Sequence, residues 1–592
     1  MNKLLCGTLF RRMFSTPQNA DDLLTQLEAA KNRFDHGHAA VIAKLIARIS
    51  RLQFDNPRQV IRFHECLLFL RAFPHAASHV LRLEHLLRTF HKRIERLRSL
   101  RADMTLFDDF DTSGISGTTM QDILSFDVAQ WFARRYPDDS EIAWNDYWDD
   151  YQSERNRGTT WPRFIPLLEE DANVEANIPW LRWLDAARGR QRPLAWLVSR
   201  FARLPLPSRQ RAELYDSLRL PLRWKVENSS LSRTCDWRQP RQVFVHNSPL
   251  IRRSEVSLAR ELALPAPRLE KLSAAAGESV MNDIREVMAV RYRELYGTTL
   301  GDPRSVVRVN LGRGAVMYFW GLPPSRRLPL RAYLAGYTLK NGVPVNYIEA
   351  IGLCEWIEVG FNTFYTYRQG ETAWIYAQAL RCLRALAKAD CISIYPYQIG
   401  QNNDEAIDSG AFWFYRKLGF RSGRADLRQL CDEEEKKIAG GVRYRTPPRT
   451  LKRLAEAHMF YQVPGTEDDQ KDSGAWDNFS VRNLGLQVNR RMATRFDGDS
   501  KKIRRASTLA VTRALQIDPD GWNEDERQSL ENWSLVLALI PAFGRWPDDE
   551  KHRVARMIRA KASPNETVYL RHTQKVPRLR AELLKIGSFT LK

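Results

Sequence analysis

The chain has 592 residues, 43% of them hydrophobic, with 17 tryptophans and a formal net charge of +21. That length exceeds the roughly 100–200 residues of one ordinary domain, and the apolar content excludes a disordered chain. No apolar run approaches the ~18 residues of a membrane span, and the seven cysteines are scattered without CxxC pairs, which excludes a disulfide framework or a cysteine zinc site and fits a reducing compartment. Residues 1–20 read as a leader or disordered start. It holds no acidic side chain and carries Lys3, Arg11 and Arg12. This suits a plain cytosolic start, with a mitochondrial transit peptide as the alternative; the expected location is cytoplasmic, otherwise the mitochondrial matrix.

Residues 21–225 are predicted to be mainly α-helical. Leu23, Leu27 and Ala30 begin one apolar face, and Val41, Leu45, Ile49 and Leu52 continue a second. Leu83, Leu87, Phe90, Ile94 and Leu97 make a third, with the basic cluster Arg88, Lys92, Arg93, Arg96, Arg98 and Arg101 beside it, an amphipathic helix with a solvated basic face. Asp109, Asp111, Ser113 and Gly114 imitate the start of a calcium loop, but its twelfth position is Met120 rather than a bidentate glutamate, so it is no calcium site. Residues 226–269 read as an irregular linker with one short strand at Gln242–Val245.

The span 270–430 changes character. A helix is predicted over Glu278–Tyr296, with Arg291 interrupting its apolar face. Strands follow at Val306–Asn310, Ala315–Trp320, Arg331–Leu339, Val345–Ile351 and Glu355–Tyr365, and the Lys340-Asn341-Gly342 turn joins two of them as a hairpin. Thr372–Ala389 is a helix with Tyr376, Leu380, Leu383 and Ala387 on one face and Arg384 and Lys388 at its negative end. Cys391–Tyr395 is a buried strand. Gly410–Phe420, GAFWFYRKLGF, is a helix stopped by glycine and followed by an extended segment. Residues 431–475 read as a charged linker. Residues 476–592 read as a helical, basic region in which Lys501, Lys502, Arg504 and Arg505 lie in a loop-like stretch.

Within Gly410–Phe420, Ala411 stands four residues before Tyr415, and Gly419-Phe420 stand four and five after it. Together with the order strand, strand, strand, glycine loop, helix, strand, helix, strand, this resembles the GNAT superfamily of N-acyltransferases over about residues 270–430. The resemblance implies an α+β fold, a GNAT-like mixed central sheet with flanking helices, here preceded and followed by mainly α-helical regions. It implies acyl-CoA, by default acetyl-CoA, as co-substrate, no metal, and a small-molecule or peptide amine that attacks the thioester directly. It implies that Tyr415 protonates the leaving thiolate; Tyr415 as a packing aromatic before a glycine cap is the other reading.

The family's phosphate loop runs Gln/Arg, two residues, Gly, one residue, Gly/Ala. Aligned on Gly370, this chain has Tyr367 and Thr372 at the two ends, with Arg368 and Ala373 displaced by one. The implied coenzyme contacts are Arg368, Gln369, Gly370, Thr372, Ala373 and Asn403. Two positions depart from the family. Glu371 puts a negative charge beside the expected pyrophosphate unless it turns away, and Asp408 stands where the family often has asparagine.

The base for the amine is sought in the strand before the loop, at Glu358 or Glu355. Alternation places Glu358 with Trp356, Asn362 and Phe364, and Glu355 with apolar residues. Surface carboxylates on an edge strand are the alternative for both. Two other classes remain open. One is a non-catalytic GNAT-like coenzyme-binding module. The other is a basic nucleic-acid-associated protein, although no zinc-finger, RNP or Walker pattern accompanies the charge.

Overall fold

The structure, a computed structural model, describes residues 19–35, 37–148, 160–165, 180–227, 229–441, 443–465 and 474–588. Residues 1–18 of the expected leader and residues 466–473 of the expected linker lie outside them. The chain divides into two units. The first takes Met1–Pro249, Met281–Leu300 and Asn341–Pro344; the second takes Leu250–Val280, Gly301–Lys340 and Val345–Lys592.

The first unit opens with helices Ala20–Ala30, His38–Ile49, Pro57–Ala72, Ala77–Arg88 and His91–Ser99. The predicted apolar faces turn inward: Leu23, Leu27, Leu45, Ile49, Leu83, Leu87, Phe90, Ile94 and Leu97 are buried, while Ala30, Val41 and Leu52 are half-buried. Much of the early basic cluster is engaged locally. Arg93 donates to the Ser50 and Leu52 carbonyls, Arg96 to Asp55, and Arg88 to Glu84.

Beyond these helices the expectation of helix alone is corrected. Strands β1 (Thr119–Ile123), β2 (Ser140–Ile142) and β3 (Pro221–Lys225) form an antiparallel sheet in the order β1-β3-β2. Pro221 starts β3, a position where a missing N–H costs the ladder little. Trp224 of β3 is buried against Phe132, ring centroids 5.1 Å apart. Strands this far apart in sequence leave no local hairpin signal. No strand forms at Gln242–Val245.

Arg291, which interrupted the predicted apolar face, lies past the end of the helix, which runs Ala274–Ala289. It is buried and pairs with the buried Asp236 at 2.9 Å.

The second unit is built on a nine-stranded sheet. Its strands are β4 (Glu270–Lys271), β5 (Val307–Gly312), β6 (Ala315–Trp320), β7 (Ala332–Lys340), β8 (Val343–Leu353), β9 (Trp356–Thr363), β10 (Cys391–Ile394), β11 (Arg421–Ser422) and β12 (Met459–Gln462). The order is β11-β12-β10-β9-β8-β7-β6-β5-β4. β9 and β10 run parallel, whereas β10 and β12, and β11 and β12, are antiparallel. β7 and β8 are joined through Asn341 and Gly342, both at positive φ (49° and 83°), the geometry that Asn-Gly favours.

The helix over Thr372–Ala387 makes the crossover from β9 to β10. Its predicted face, Tyr376, Leu380, Leu383 and Ala387, is fully buried, and Tyr376 meets Phe361 of β9 with ring centroids 5.0 Å apart. The sheet does not stop near residue 430. The span expected to be a charged linker contains helices Ala425–Gly440 and Pro448–Leu454 and then β12, which inserts between β10 and β11. Three apolar or aromatic residues in a row, Met459 to Tyr461, are too short a run to stand out beside a charged helix, and only the sheet gives them a partner. The C-terminal helices from Val481–Phe496 to Pro577–Gly587 belong to this same unit. Gln574 ties them to the β8–β9 turn and to the end of the crossover helix through hydrogen bonds to the Cys354 and Ala387 carbonyls, both 2.9 Å. Among the described residues no helix is long and apolar enough to cross a membrane.

Candidate functional site

The parallel ladder between β9 and β10 is short. It runs from Trp356–Cys391 through Ile357–Ile392 to Glu358–Ser393. β10 ends at Ile394, Tyr395 is extended, and Pro396 opens a helical turn over Pro396–Ile399. A proline ring fixes φ for a first helical turn and supplies no N–H to a ladder. β9 meanwhile continues to Thr363, so the two strands part after Glu358.

A cleft of about 240 Å³ lies where they part. It is lined by Phe361, Asn362 and Thr363 of β9, Arg368 and Thr372 of the loop and helix start, Gln398, Asn403, Glu405, Ala406 and Ser409, and Ala411, Phe414 and Tyr415 of the helix Ala411–Arg416. Four residues singled out in the sequence therefore line one cleft: Arg368, Thr372, Asn403 and Tyr415. Gln369, Gly370 and Ala373 are not in the lining.

Tyr415 is 3% exposed and edge-on to Tyr376 and Phe420, with ring centroids 5.6 and 5.8 Å away. Burial pushes its hydroxyl pKa up, which keeps the proton on oxygen at neutral pH. Arg368 is the cation of the lining. It pairs with Glu405 and stacks over Tyr365 at 5.5 Å. Asn403 caps the Asp404–Asp408 helix, accepting from Ala406 N at 3.1 Å and donating to the Tyr397 carbonyl at 3.0 Å. Its role in the structure is to shape the wall.

Glu371 does turn away from the loop. It is fully buried and accepts from Lys340 Nζ at 2.7 Å, from Arg313 and from the Ile251 amide at 3.3 Å. Its charge is balanced inside the unit, and the first amides of the Thr372–Ala387 helix keep their unopposed donors.

The two carboxylates proposed as bases have different fates. Glu355 is not in the strand but in the turn before β9. It is buried, and its Oε1 accepts from both Trp476 Nε1 and Arg580 Nε, each at 2.6 Å. This is a structural anchor for the C-terminal helices rather than a poised base. Glu358 is at the point of divergence, outside the cleft lining. Its Oε2 lies 2.9 Å from His458 Nε2 and its Oε1 accepts from Arg331 at 3.3 Å. Burial pushes this carboxyl up, but the hydrogen bond and charge of His458, with Arg331, outweigh it and hold it below its ordinary value. Tyr395 stands over His458 with ring centroids 5.3 Å apart, and Arg482 donates to the Tyr395 hydroxyl at 2.9 Å.

A third carboxylate was missed by reading β9 alone. In the β8–β9 register Glu349 faces Gly360 and Tyr347 faces Asn362, so Glu349 shares a sheet face with the cleft-lining Asn362, one pair away. Gly360 adds no side chain between them; a Cβ there would lie 3.5 Å from the Gln398 amide nitrogen. Burial raises the Glu349 pKa against an opposing hydrogen bond from the Tyr333 hydroxyl. A carboxyl raised in this way is a better proton acceptor near neutrality than the depressed Glu358. Its only sequence signal was a lone glutamate in an apolar strand. His458 likewise stood alone before a short apolar run, and pairing across the sheet is what brings it to Glu358.

No family model, no curated protein and no solved structure matches this chain.

Proposed function

We propose that this chain is an acyl-CoA-dependent N-acyltransferase of the GNAT type. One observation carries the reading: a parallel strand pair parts at Glu358, and the cleft it opens has Tyr415 on one wall and the start of the crossover helix on another. The strand order, antiparallel up to β9, parallel at β9–β10, with the last strand inserted beside β10, supports the same fold. Acyl-coenzyme A would supply the acyl thioester. Arg368 and the first amides of the Thr372–Ala387 helix would hold anionic oxygens at the mouth. Beyond the ladder, the free edge of β9 offers its backbone to an extended amide-bearing arm.

Glu349 takes the proton that the acceptor nitrogen sheds as its bond to the acyl carbon forms. Tyr415 gives its proton to the departing sulfur as the C–S bond breaks, and is reprotonated from water. The acceptor class that suits this face is a primary amine, since Glu349 and Glu358 both present carboxylates along it. Isothermal titration of the purified chain with coenzyme A and acetyl-CoA tests the proposal, with mass spectrometry of retained ligands as a second readout. Stoichiometric binding that weakens in Arg368→Ala is expected. No binding of either compound would sink it.

A second reading, a coenzyme-binding module without turnover, draws on the pairing of Arg368 with Glu405, which neutralises the cation of the cleft. Binding without thiol release across a panel of primary amines would favour it.

A further inference from the structure

The expectation that Lys501, Lys502, Arg504 and Arg505 lie in a loop is corrected by the structure, which places them on the helix Ser500–Leu515. This helix follows Val481–Phe496 after a short turn at residues 497–499. Residues 481–515 hold nine Lys and Arg against two Asp, a density well above that of the chain. The helix Val481–Phe496 has 16 residues, yet only Leu484 is fully buried. The next helix turns Ile503, Ser507, Val511 and Leu515 inward. Its outer face carries Lys502, Arg505, Leu509 and Arg513 at helical spacing, a line of about 17 Å at 1.5 Å per residue.

These cations contrast with the cluster over Arg88–Arg101, where Arg88, Arg93 and Arg96 are held by carbonyls and carboxylates. Arg495, Lys501, Arg505 and Arg513 are exposed and take part in no salt bridge among the described residues. Lys502 of the outer line meets Asp499 at 3.9 Å, and the two aspartates of residues 481–515, Asp497 and Asp499, sit at the turn rather than along the face.

We infer that the outer face of this helix pair is a binding surface for the phosphate backbone of a nucleic acid. The exposed groups without a carboxylate partner among the described residues, Arg495, Lys501, Arg505 and Arg513, neutralise phosphates and gain the release of their counterions. The face is not that of a membrane-surface helix, because the apolar stripe of Ser500–Leu515 is turned into the protein and Leu486 and Leu509, 41% and 50% exposed, are isolated. No base-reading motif accompanies the row, so the binding is sequence-tolerant.

Fluorescence anisotropy of the full chain with a labelled single-stranded RNA of about 20 nucleotides, between about 50 and 200 mM KCl, tests this. The quadruple variant Arg495→Ala, Lys501→Ala, Arg505→Ala, Arg513→Ala is expected to weaken binding about tenfold or more and to flatten the log–log salt slope by about 0.7 for each lost contact. Replacing the three arginines by lysine is expected to retain binding. The control variant Lys92→Ala, Arg98→Ala, Arg190→Ala, Arg203→Ala removes the same charge from exposed positions of the first unit and is expected to change affinity less than about threefold. Matched melting curves for the two quadruple variants exclude a folding defect. Equal losses in both would mean general charge attraction and overturn the site. Competition by polyglutamate or phosphatidylserine vesicles as effective as unlabelled RNA, at equal charge, would overturn the partner class. None of these outcomes depends on coenzyme binding.

Discussion

Lys340 and Glu371 meet with Nζ and Oε2 2.7 Å apart and both side chains fully buried. β7 supplies the lysine at its end and the crossover helix the glutamate at its cap, so the pair fixes the helix start against the sheet. Burial pulls the lysine down to about 8 against the attraction of Glu371. Trp374 covers it, 5.8 Å from Nζ. Glu371→Gln leaves that ammonium without its countercharge, and a loss of about 3–5 kcal/mol is expected. Lys340→Met with Glu371→Leu is expected to recover most of it, because the desolvation cost leaves with both charges. Denaturant unfolding of Lys340→Met, Glu371→Leu and the double measures the coupling, and a double as unstable as Glu371→Gln would contradict the account.

Tyr415→Phe separates chemistry from packing. If the hydroxyl protonates the thiolate, kcat for thiol release falls about 10- to 1,000-fold while acyl-CoA affinity holds. If the ring only packs against Tyr376 and Phe420, kcat is preserved and the cost is about 0.5–1.5 kcal/mol of stability at most.

The three carboxylates are expected to respond differently. Glu349→Gln lowers kcat and removes an acid limb that lies above the ordinary carboxylate range, since its raised pKa must be passed before it can accept a proton. Glu355→Gln acts on stability, by weakening the anchor of Trp476 and Arg580. An intact pH–rate profile in Glu349→Gln, together with a collapsed one in Glu358→Gln, would move the base to Glu358.

Glu358 also predicts an acid-stability effect. Its folded pKa lies below its unfolded one, so its contribution is complete above the unfolded value of about 4.3 and is lost as pH falls through the folded value. Over that window the unfolded chain binds the proton first. Thermal melts from about pH 6 to 3 are expected to fall more steeply for the native chain than for Glu358→Gln, and parallel curves would exclude it.

Gly342 has φ +83°, and a Cβ there would lie 1.7 Å from the Arg238 carbonyl oxygen. Gly342→Ala is therefore expected to destabilise by more than the roughly 1 kcal/mol of left-handed strain alone, visible as a lowered melting temperature.

Local pattern alone determined the strands around Asn341-Gly342, the crossover helix and its buried face, and the run from Gly410 to Phe420. Each of these signals is a short-range periodicity or a turn requirement that the sequence carries by itself. Four of the nine residues proposed for the site, Arg368, Thr372, Asn403 and Tyr415, came together in one cleft because they flank the strand ends that part there. The tertiary structure decided the rest. β3 and β12 pair with strands distant in sequence, and their short runs carry no local period long enough to mark them. Glu355 became an anchor because Arg580, from the last helix, reaches it. Glu349 gained its position from the register with Gly360, a relation between two strands that alternation within one strand does not contain.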